Sequence, residues 1–193
     1  MQVPLFPLST VLFPQGVLPL RIFEPRYLTM VGDCMRKGAE FGVVLITKER
    51  ESGKPAKFHQ IGTLARIEDF DQLDDGNLGI TCRGNQRFSV IEHHLQDDQL
   101  ISAQINIIKD NEIHGLPEEF SPMREFVRDL CAREELRDWA RTIDPDWENA
   151  DWLSCRLAEL LPLSMESRQA LLEMSCQKRL SKLSGVMREN KLI

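Results

Sequence analysis

A serine and a lysine one helical turn apart are the residues whose spacing best matches a catalytic pair. Ser175 and Lys178 fit the S-x-x-K pattern, in which a lysine acts as the base for a serine nucleophile. Neither an S-D-N nor a K-T-G element accompanies them in the sequence. The pair also falls within an amphipathic pattern whose apolar stripe passes through Cys176. We therefore interpret Ser175 and Lys178 as polar residues on the exposed face of a helix.

Other patterns that catalysis or cofactor binding would need are missing from the sequence. Gly53-Lys54-Pro55 lacks both the earlier glycine and the hydroxyl residue of a G-x-x-x-x-G-K-[ST] phosphate-binding loop. The histidines have no H-x-x-x-H spacing, and the aspartates near residue 74 lack the spacing of an EF-hand. We predict no metal, no cofactor and no catalytic residue, so that the chain is not itself an enzyme. The histidines of the chain are His59, His93, His94 and His114, and the aspartates compared with an EF-hand loop are Asp71, Asp74 and Asp75.

Cysteine usage and charge favour a cytoplasmic protein that does not bind nucleic acid. The five cysteines are odd in number and form no C-x-x-C pair, which indicates buried free thiols in a reducing compartment. The net charge of −6 weighs against a broad phosphate-binding surface. The apolar start lacks a basic region, and no apolar run reaches the roughly 18 residues that span a bilayer. The cysteines are Cys34, Cys82, Cys131, Cys155 and Cys176.

The first part of the chain shows the alternation that is typical of β-strands. Residues 61–67, 78–82, 87–92 and 100–109 are predicted as strands, and Asp75-Gly76 favours a hairpin turn before the second of them. The continuous apolar run at residues 41–46 suits a strand buried on both faces. Several short strands separated by turns predict a small barrel or sandwich.

One helix interrupts this β-rich part. Pro25 can occupy its first turn and Gly38 is well placed to end it. Its expected apolar stripe consists of Tyr27, Val31, Cys34 and Met35.

Helical periodicity replaces alternation after about residue 115. Ser121 is predicted as an N-cap with Pro122 at the first helical position, and Pro162 ends a second helix. A single last helix is predicted from Ser164 onward. The fold class is therefore α+β, with a β-rich subdomain at residues 1–115 and a helical bundle at residues 116–193. The stripe of the last helix is Leu172, Cys176, Leu180, Leu183 and Met187.

The proline-rich N-terminal segment carries the most specific motif. Residues 4–8 read PLFPL and residues 11–27 read VLFPQGVLPLRIFEPRY. They resemble the opening of the Lon N-terminal domain family, in which F-P-G and L-P-L-x-I-F-E-P-R-Y elements recur. Residues 41–46, 62–67 and 84–88 resemble that family's F-G-V-x-L-I, G-T-x-A-x-I and G-x-x-R-F elements. The specific resemblance covers residues 3 to about 92. Gln15 departs from it, because the family usually has glycine directly after the proline.

The resemblance implies a non-catalytic, stand-alone relative of the substrate-recognition domain of Lon-type ATP-dependent proteases. The implied fold is a distorted, PUA-like β-barrel of about six strands plus one helix, with a helical bundle behind it. Such a module would bind unfolded or exposed hydrophobic polypeptide segments, or a protease or chaperone, as an adaptor in protein quality control. RNA binding, by analogy with small barrels, is the alternative. The acidic composition and the lack of a basic–aromatic stripe oppose it.

Candidate contacts with a peptide or partner come from the same motif. Core packing is the alternative role for its apolar members, and prolines 4, 7, 14, 19 and 25 predict that the segment runs along an edge of the sheet. For its polar members the alternative is an Arg–Glu pair and a tyrosine that fix the junction between strand and helix. The candidates are Phe13, Leu18, Arg21, Phe23, Glu24, Arg26 and Tyr27.

Overall fold

The computed structural model describes residues 1–48, 57–109 and 115–193. The chain forms two compact units, Met1–Ile108 and Lys109–Ile193. The first unit contains seven strands and one helix among its described residues, and the second is helical. The α+β class is confirmed, with one strand more than expected. The strands are β1 (Gln2–Leu8), β2 (Val17–Ile22), β3 (Phe41–Lys48), β4 (Lys57–Phe58), β5 (Ile61–Gln72), β6 (Leu78–Leu95) and β7 (Ile101–Ile107).

The sheet of the first unit closes into a ring. Its neighbours run in the order β1, β7, β6, β5 and β3, and β1 then pairs in parallel with β3. The other pairings are antiparallel, with β2 added to β6 and β4 added to β3. Two apolar clusters fill this unit, and the buried face of the helix packs into one of them. The ring therefore supplies a rigid frame for the loops at its ends.

Strand β6 joins two strands that the sequence pattern separates. The predicted strands at residues 78–82 and 87–92 form one continuous strand, Leu78–Leu95, so the predicted break was wrong. Gly84 lies at the expected break, but a Cβ there would overlap the carbonyl oxygen of Phe13. This glycine is required for a close approach of two backbones rather than for a chain reversal.

The prediction that the proline-rich segment lies along a sheet edge was right for β2 and wrong for β1. Strand β1 pairs with β7 through residues 2–5 and with β3 through residues 5–8. Met1 and Ile105 exchange both backbone hydrogen bonds, at 2.9 and 2.8 Å. Because the direction of the backbone groups alternates along a strand, the backbone N–H and C=O groups of Val3 and Leu5 also face β7. The nitrogen of Pro4 then faces the β3 side before β3 begins, and that of Pro7 faces the β7 side after β7 pairing ends. Both prolines are tolerated because each strand neighbour covers only half of β1.

The turn before β2 accommodates the departure at Gln15. The N–H of Gly16 donates to the oxygen of Phe13 at 3.0 Å, with Pro14 and Gln15 as the central residues. Gln15 has a φ of 60°, as the third residue of a type II turn requires. Glycine adopts this conformation without strain, whereas glutamine does not. The N–H of Gln15 also donates to the oxygen of Gly84 at 2.7 Å, which ties the turn to β6.

The predicted helix of the first unit is confirmed as α1 (Pro25–Lys37). Pro25 lies in its first turn, and Gly38 ends it in the left-handed conformation with a φ of 60°. Its buried residues are Tyr27, Met30, Val31 and Cys34. The expected burial of Met35 was wrong, because this side chain lies at the exposed edge of the stripe.

The second unit consists of five α-helices and two short 3-10 turns in its described residues. Ser121 lies inside the first helix rather than capping it, so the predicted boundary was one residue late. The single last helix was also wrong, since Met174 and Ser175 have extended backbones that divide it. All five stripe residues are nevertheless buried, on two helices instead of one. The helices are α2 (Ser121–Cys131), α3 (Arg137–Thr142), α4 (Ala150–Leu160), α5 (Met165–Glu173) and α6 (Cys176–Glu189).

Candidate functional site

A cleft of about 570 Å³ opens at one end of the ring in the first unit. The C-terminal ends of β1, β2 and β3 form its walls together with the start of α1 and the turn between β6 and β7. The C-terminal ends of β1 and β3 meet here because these two strands are parallel. The start of α1 lies beside the end of β2 because only two residues separate them. The lining residues are 6–9, 20–24, 26, 27, 46, 47, 95, 99 and 101.

Five of the seven candidate residues line this cleft: Arg21, Phe23, Glu24, Arg26 and Tyr27. The other two do not. Phe13 is fully buried and its carbonyl lies against Gly84, so a ligand cannot reach its side chain in this structure. Leu18 is half-buried and packs on the core cluster around α1. Core packing, the alternative role, therefore accounts for both of these apolar candidates.

Four side chains brace the wall of the cleft where β2 passes into α1. Arg26 forms a 2.6 Å ion pair with Glu24 and donates to the backbone oxygen of Gln99 at 3.1 Å. Its guanidinium carbon lies 4.6 Å from the centroid of the Tyr27 ring, and that ring stacks on Phe6 at 3.9 Å. Such a cation–π contact holds an arginine in one orientation. These groups therefore fix the junction and present a rigid wall.

Arg21 connects the cleft to the β5–β6 hairpin. Its guanidinium forms an ion pair with Asp75 at the hairpin tip. The N–H of Asn77 and the charge of Arg21 hold the pKa of Asp75 below its ordinary value, so the carboxylate is ionised near neutral pH. Gly76 has a φ of 80° and its N–H donates to Leu73, which confirms the predicted Asp75-Gly76 turn. Both arginines that line the cleft are therefore neutralised by carboxylates.

The apolar part of the cleft includes an aromatic ring that the fold does not cover. Phe23 is 65% exposed, although phenylalanine is usually buried. Leu95 is also exposed, and Leu8 and Leu20 are half-buried. A concave surface with several accessible apolar side chains is typical of an interaction site.

Backbone groups of β2 also face away from the ring. The N–H of Gly84 donates to the oxygen of Gly16 at 2.8 Å. Because the direction of the backbone groups alternates along a strand, the backbone N–H and C=O groups of Leu18, Leu20 and Ile22 face β6. The N–H and C=O of Arg21 and the C=O of Pro19 then point outward. Since Pro19 has no N–H, this edge offers a short stretch of backbone rather than a full strand's length.

The described residues give no support to catalysis. Burial raises the pKa of Cys82 and Cys155 to about 12 and also raises the pKa of Cys34 and Cys131, so these thiols are poor nucleophiles. Ser175 and Lys178 are both exposed. No group of three or more metal-binding side chains occurs in the part of the chain that is described. Gly53-Lys54-Pro55 and His114 lie outside the described residues.

The fold and the cleft define a class of protein: a β-ring domain with an attached helical unit and an open apolar cleft. The family described as the ATP-dependent protease La (LON) substrate-binding domain matches residues 2–189. The chain therefore belongs to the Lon substrate-binding domain family.

Relatives and solved structures agree with this assignment. Lon protease 2 of Herpetosiphon aurantiacus is 31% identical over 97% of this chain, and the match spans 24% of that protein. Lon protease 2 of Myxococcus xanthus is 26% identical over 89% of the chain, which spans 21% of that protein. The chain thus corresponds to about a quarter or less of the length of these relatives.

Two solved structures share the fold. A Lon N-terminal domain protein from Xanthomonas campestris has a TM-score of 0.76 and 35% identity, with 96% of this chain and 98% of that chain covered. The N-terminal domain of a Mycobacterium avium complex Lon protease has a TM-score of 0.71 at 14% identity, with 95% and 96% covered, and this likeness concerns the fold alone. Among the described residues, no helix combines the length and hydrophobicity needed to cross a bilayer.

Proposed function

We propose that the cleft of the first unit binds exposed apolar polypeptide segments. The observation that carries the proposal is the position of Phe23, an aromatic ring left 65% exposed in a concave surface. Membership of a substrate-binding domain family supports it, because polypeptides are the substrates of proteases. The chain then acts in recognition and has no catalytic step of its own.

An extended segment is the form of polypeptide that fits this cleft. Apolar side chains of the ligand would pack on Phe23, Leu20 and Leu95. Its backbone would bond to the outward N–H and C=O of Arg21 on β2. Backbone bonds are the same for every sequence, so recognition of this kind tolerates many different substrates.

The other long free edge of the sheet is less suited to this role. Strand β5 pairs with β3 only through residues 63–65, and beyond them no described strand adds to that side. Charged side chains follow at Arg66, Glu68, Asp69 and Asp71. Charges of this kind discourage pairing at a sheet edge. The cleft beside β2 is thus the better docking surface for a polypeptide.

The compensated charges of the cleft argue against nucleic acid as its ligand. Arg21 is paired with Asp75 and Arg26 with Glu24, so neither is available as a free cation for phosphate. The comparisons with known proteins give the RNA-binding alternative no support. We further propose a cytoplasmic location, with which the five free cysteines are compatible, and a protease or chaperone as the partner that receives the bound polypeptide.

Replacement of Phe23 by alanine is expected to weaken binding of an unfolded protein about tenfold. The reason is the loss of roughly 1.5–3 kcal/mol that an aromatic ring contributes when it becomes buried. The measurement is a fluorescence-anisotropy titration with a reduced, alkylated and labelled protein that cannot refold. Because Phe23 is exposed in the free chain, its removal should leave the free energy of unfolding within about 0.5 kcal/mol of the wild-type value.

Ile91→Ala provides the matched control for this titration. Ile91 is 54% exposed on β6 and does not line the cleft. We expect this variant to bind the unfolded protein as the wild type does. Equal binding by Phe23→Ala and the wild type, or no binding by the wild type at tens of micromolar, would contradict the proposal.

A further inference from the structure

Two walls of the cleft come from parts of the first unit that are far apart in the sequence. One wall is the start of α1, with Phe23 just before it, and the other is the turn between β6 and β7 at residues 96–100. Leu95, the last residue of β6, and Ile101, the first residue of β7, flank this turn and line the cleft. A ligand can touch both walls at once only if the turn is held beside α1.

Local hydrogen bonds fix the shape of the β6–β7 turn. The N–H of Gln99 donates to the oxygen of Gln96, and the N–H of Gln96 donates to the oxygen of Leu100, both at 2.9 Å. The N–H of Leu100 donates to the Asp98 carboxylate, also at 2.9 Å. Because donor and acceptor both lie within the turn, these bonds do not determine where the turn lies relative to α1.

Arg26 joins this turn to the start of α1. Its Nη1 donates to the backbone oxygen of Gln99 at 3.1 Å, across 73 positions of the chain, while its Nη2 pairs with Glu24 at 2.6 Å. The two bonds use separate nitrogens of one planar guanidinium, and the Tyr27 ring lies against the same group. The Arg26 side chain is only 17% exposed, so these contacts restrict it to one orientation.

The acceptor of the bond from Arg26 belongs to a residue with a strained backbone. Gln99 has a φ of 69°, a left-handed conformation that is unfavourable for a residue with a Cβ. Strain of this kind persists only where surrounding contacts hold it, and it is common at ligand-binding sites. Gln99 also lines the cleft. Arg26 therefore holds the turn at its strained residue, beside the space that the ligand would occupy.

We propose that Arg26 is a positioning residue for polypeptide binding, which holds the β6–β7 turn in place as one wall of the cleft. This inference rests on the proposed function. The apolar contact that this wall offers is Leu95, which is 37% exposed. Leu95 packs on the ligand while the turn stays against α1, so Arg26 contributes to affinity through the turn rather than by touching the ligand.

Replacement of Arg26 by lysine tests this inference. Lysine keeps the charge but has one nitrogen in place of the two that bond to Glu24 and Gln99. We expect the affinity for an apolar peptide to fall about fivefold in a fluorescence-anisotropy titration. The amide hydrogens of Gln96 and Gln99, which are bonded within the turn, should exchange with solvent several times faster. Arg36→Lys is the matched control, because Arg36 is an exposed arginine of α1 that pairs with Asp33 outside the cleft, and it should change neither quantity.

A double-mutant cycle distinguishes positioning from direct contact with the ligand. Leu95→Ala alone should weaken peptide binding about fivefold, but it should have little further effect in the Arg26→Lys chain, whose turn no longer presents that side chain. Phe23→Ala should weaken binding about tenfold in both backgrounds, because Phe23 belongs to the other wall. If Arg26 touched the ligand directly, the effects of Arg26→Lys and Leu95→Ala would instead multiply.

The outcomes separate this inference from the proposed function. If Phe23→Ala weakens binding but Arg26→Lys binds as the wild type does, only the inference is overturned. Unchanged exchange of the turn amides, or multiplying effects of Arg26→Lys and Leu95→Ala, would overturn it in the same way. A lower free energy of unfolding for Arg26→Lys with unchanged affinity would assign Arg26 to the fold alone and also overturn the inference. If the wild-type chain binds no apolar peptide, both proposals are overturned.

Discussion

Replacement of Arg179 by methionine is expected to lower the free energy of unfolding of the helical unit by about 3–5 kcal/mol. Arg179 is fully buried, and its Nε donates to the Ser154 hydroxyl at 2.8 Å. Its Nη1 donates to the backbone oxygens of Leu171 and Met174, both at 3.2 Å, and Nη2 forms an ion pair with Asp151. Methionine replaces only the aliphatic part of the arginine side chain and has no donors, so these acceptors lose the guanidinium.

Urea unfolding followed by tryptophan fluorescence measures this effect. All three tryptophans, Trp139, Trp147 and Trp152, lie in the helical unit, so their signal reports that unit. Arg188→Met is the control, because Arg188 is exposed on the same helix, α6, and should cost less than about 0.5 kcal/mol. A loss below 1 kcal/mol for Arg179→Met would show that the buried guanidinium does not hold α4, α5 and α6 together.

Replacement of Gly84 by alanine is expected to cost about 3 kcal/mol of unfolding free energy in the β-rich unit. The new Cβ would overlap the backbone oxygen of Phe13 and lie 3.1 Å from its carbonyl carbon. Neither atom can move freely, since the N–H of Gly84 bonds to Gly16 and its oxygen accepts from Gln15. The strain therefore spreads into the turn that leads to β2 and the cleft.

Urea unfolding followed by far-UV circular dichroism measures the cost of Gly84→Ala. Gly32→Ala is the matched control, because Gly32 lies in α1 with no atom within 4 Å of an added Cβ. That substitution should stabilise the chain by about 0.5–1 kcal/mol, since alanine favours the helix. Similar effects of the two substitutions on the free energy of unfolding would contradict a special requirement for glycine at position 84.

Residue types in the sequence predicted the helix end and the hairpin turn, because each depends on the conformation of one or two neighbouring residues. Gly38 ends α1 and Asp75-Gly76 turns the hairpin because glycine adopts a positive φ there. The break between α5 and α6 has no such signal, since the apolar stripe continues through Cys176. At this break the guanidinium of Arg179, from the next helix, donates to the carbonyl oxygens of Leu171 and Met174. Sequence periodicity cannot reveal a partner of that kind.

The candidate site was predictable only where its residues follow one another in the chain. The motif that ends at Tyr27 contributes most of one wall of the cleft. Asp75, Leu95 and Gln99 complete the site from distant positions in the chain. The pairing of β2 with β6 brings Asp75 near, and the pairings of β6 with β7 and of β7 with β1 bring Leu95 and Gln99 near. Phe13 and Phe23 belong to the same motif, yet one is buried and the other exposed. Residue type cannot predict this difference in burial. It follows from position, since Phe13 precedes β2 and Phe23 follows it.

NMR chemical-shift changes of the ¹⁵N-labelled chain on addition of an apolar peptide show directly whether the cleft binds polypeptide. We expect saturable changes of the amide shifts at residues 6–9, 20–27 and 95–101, around the cleft. The Ile91 amide, outside the cleft, should change little. Changes confined to the helical unit, or to the polar surface between Gln2, Asp33 and Lys37 on the other side of α1, would contradict binding at the cleft.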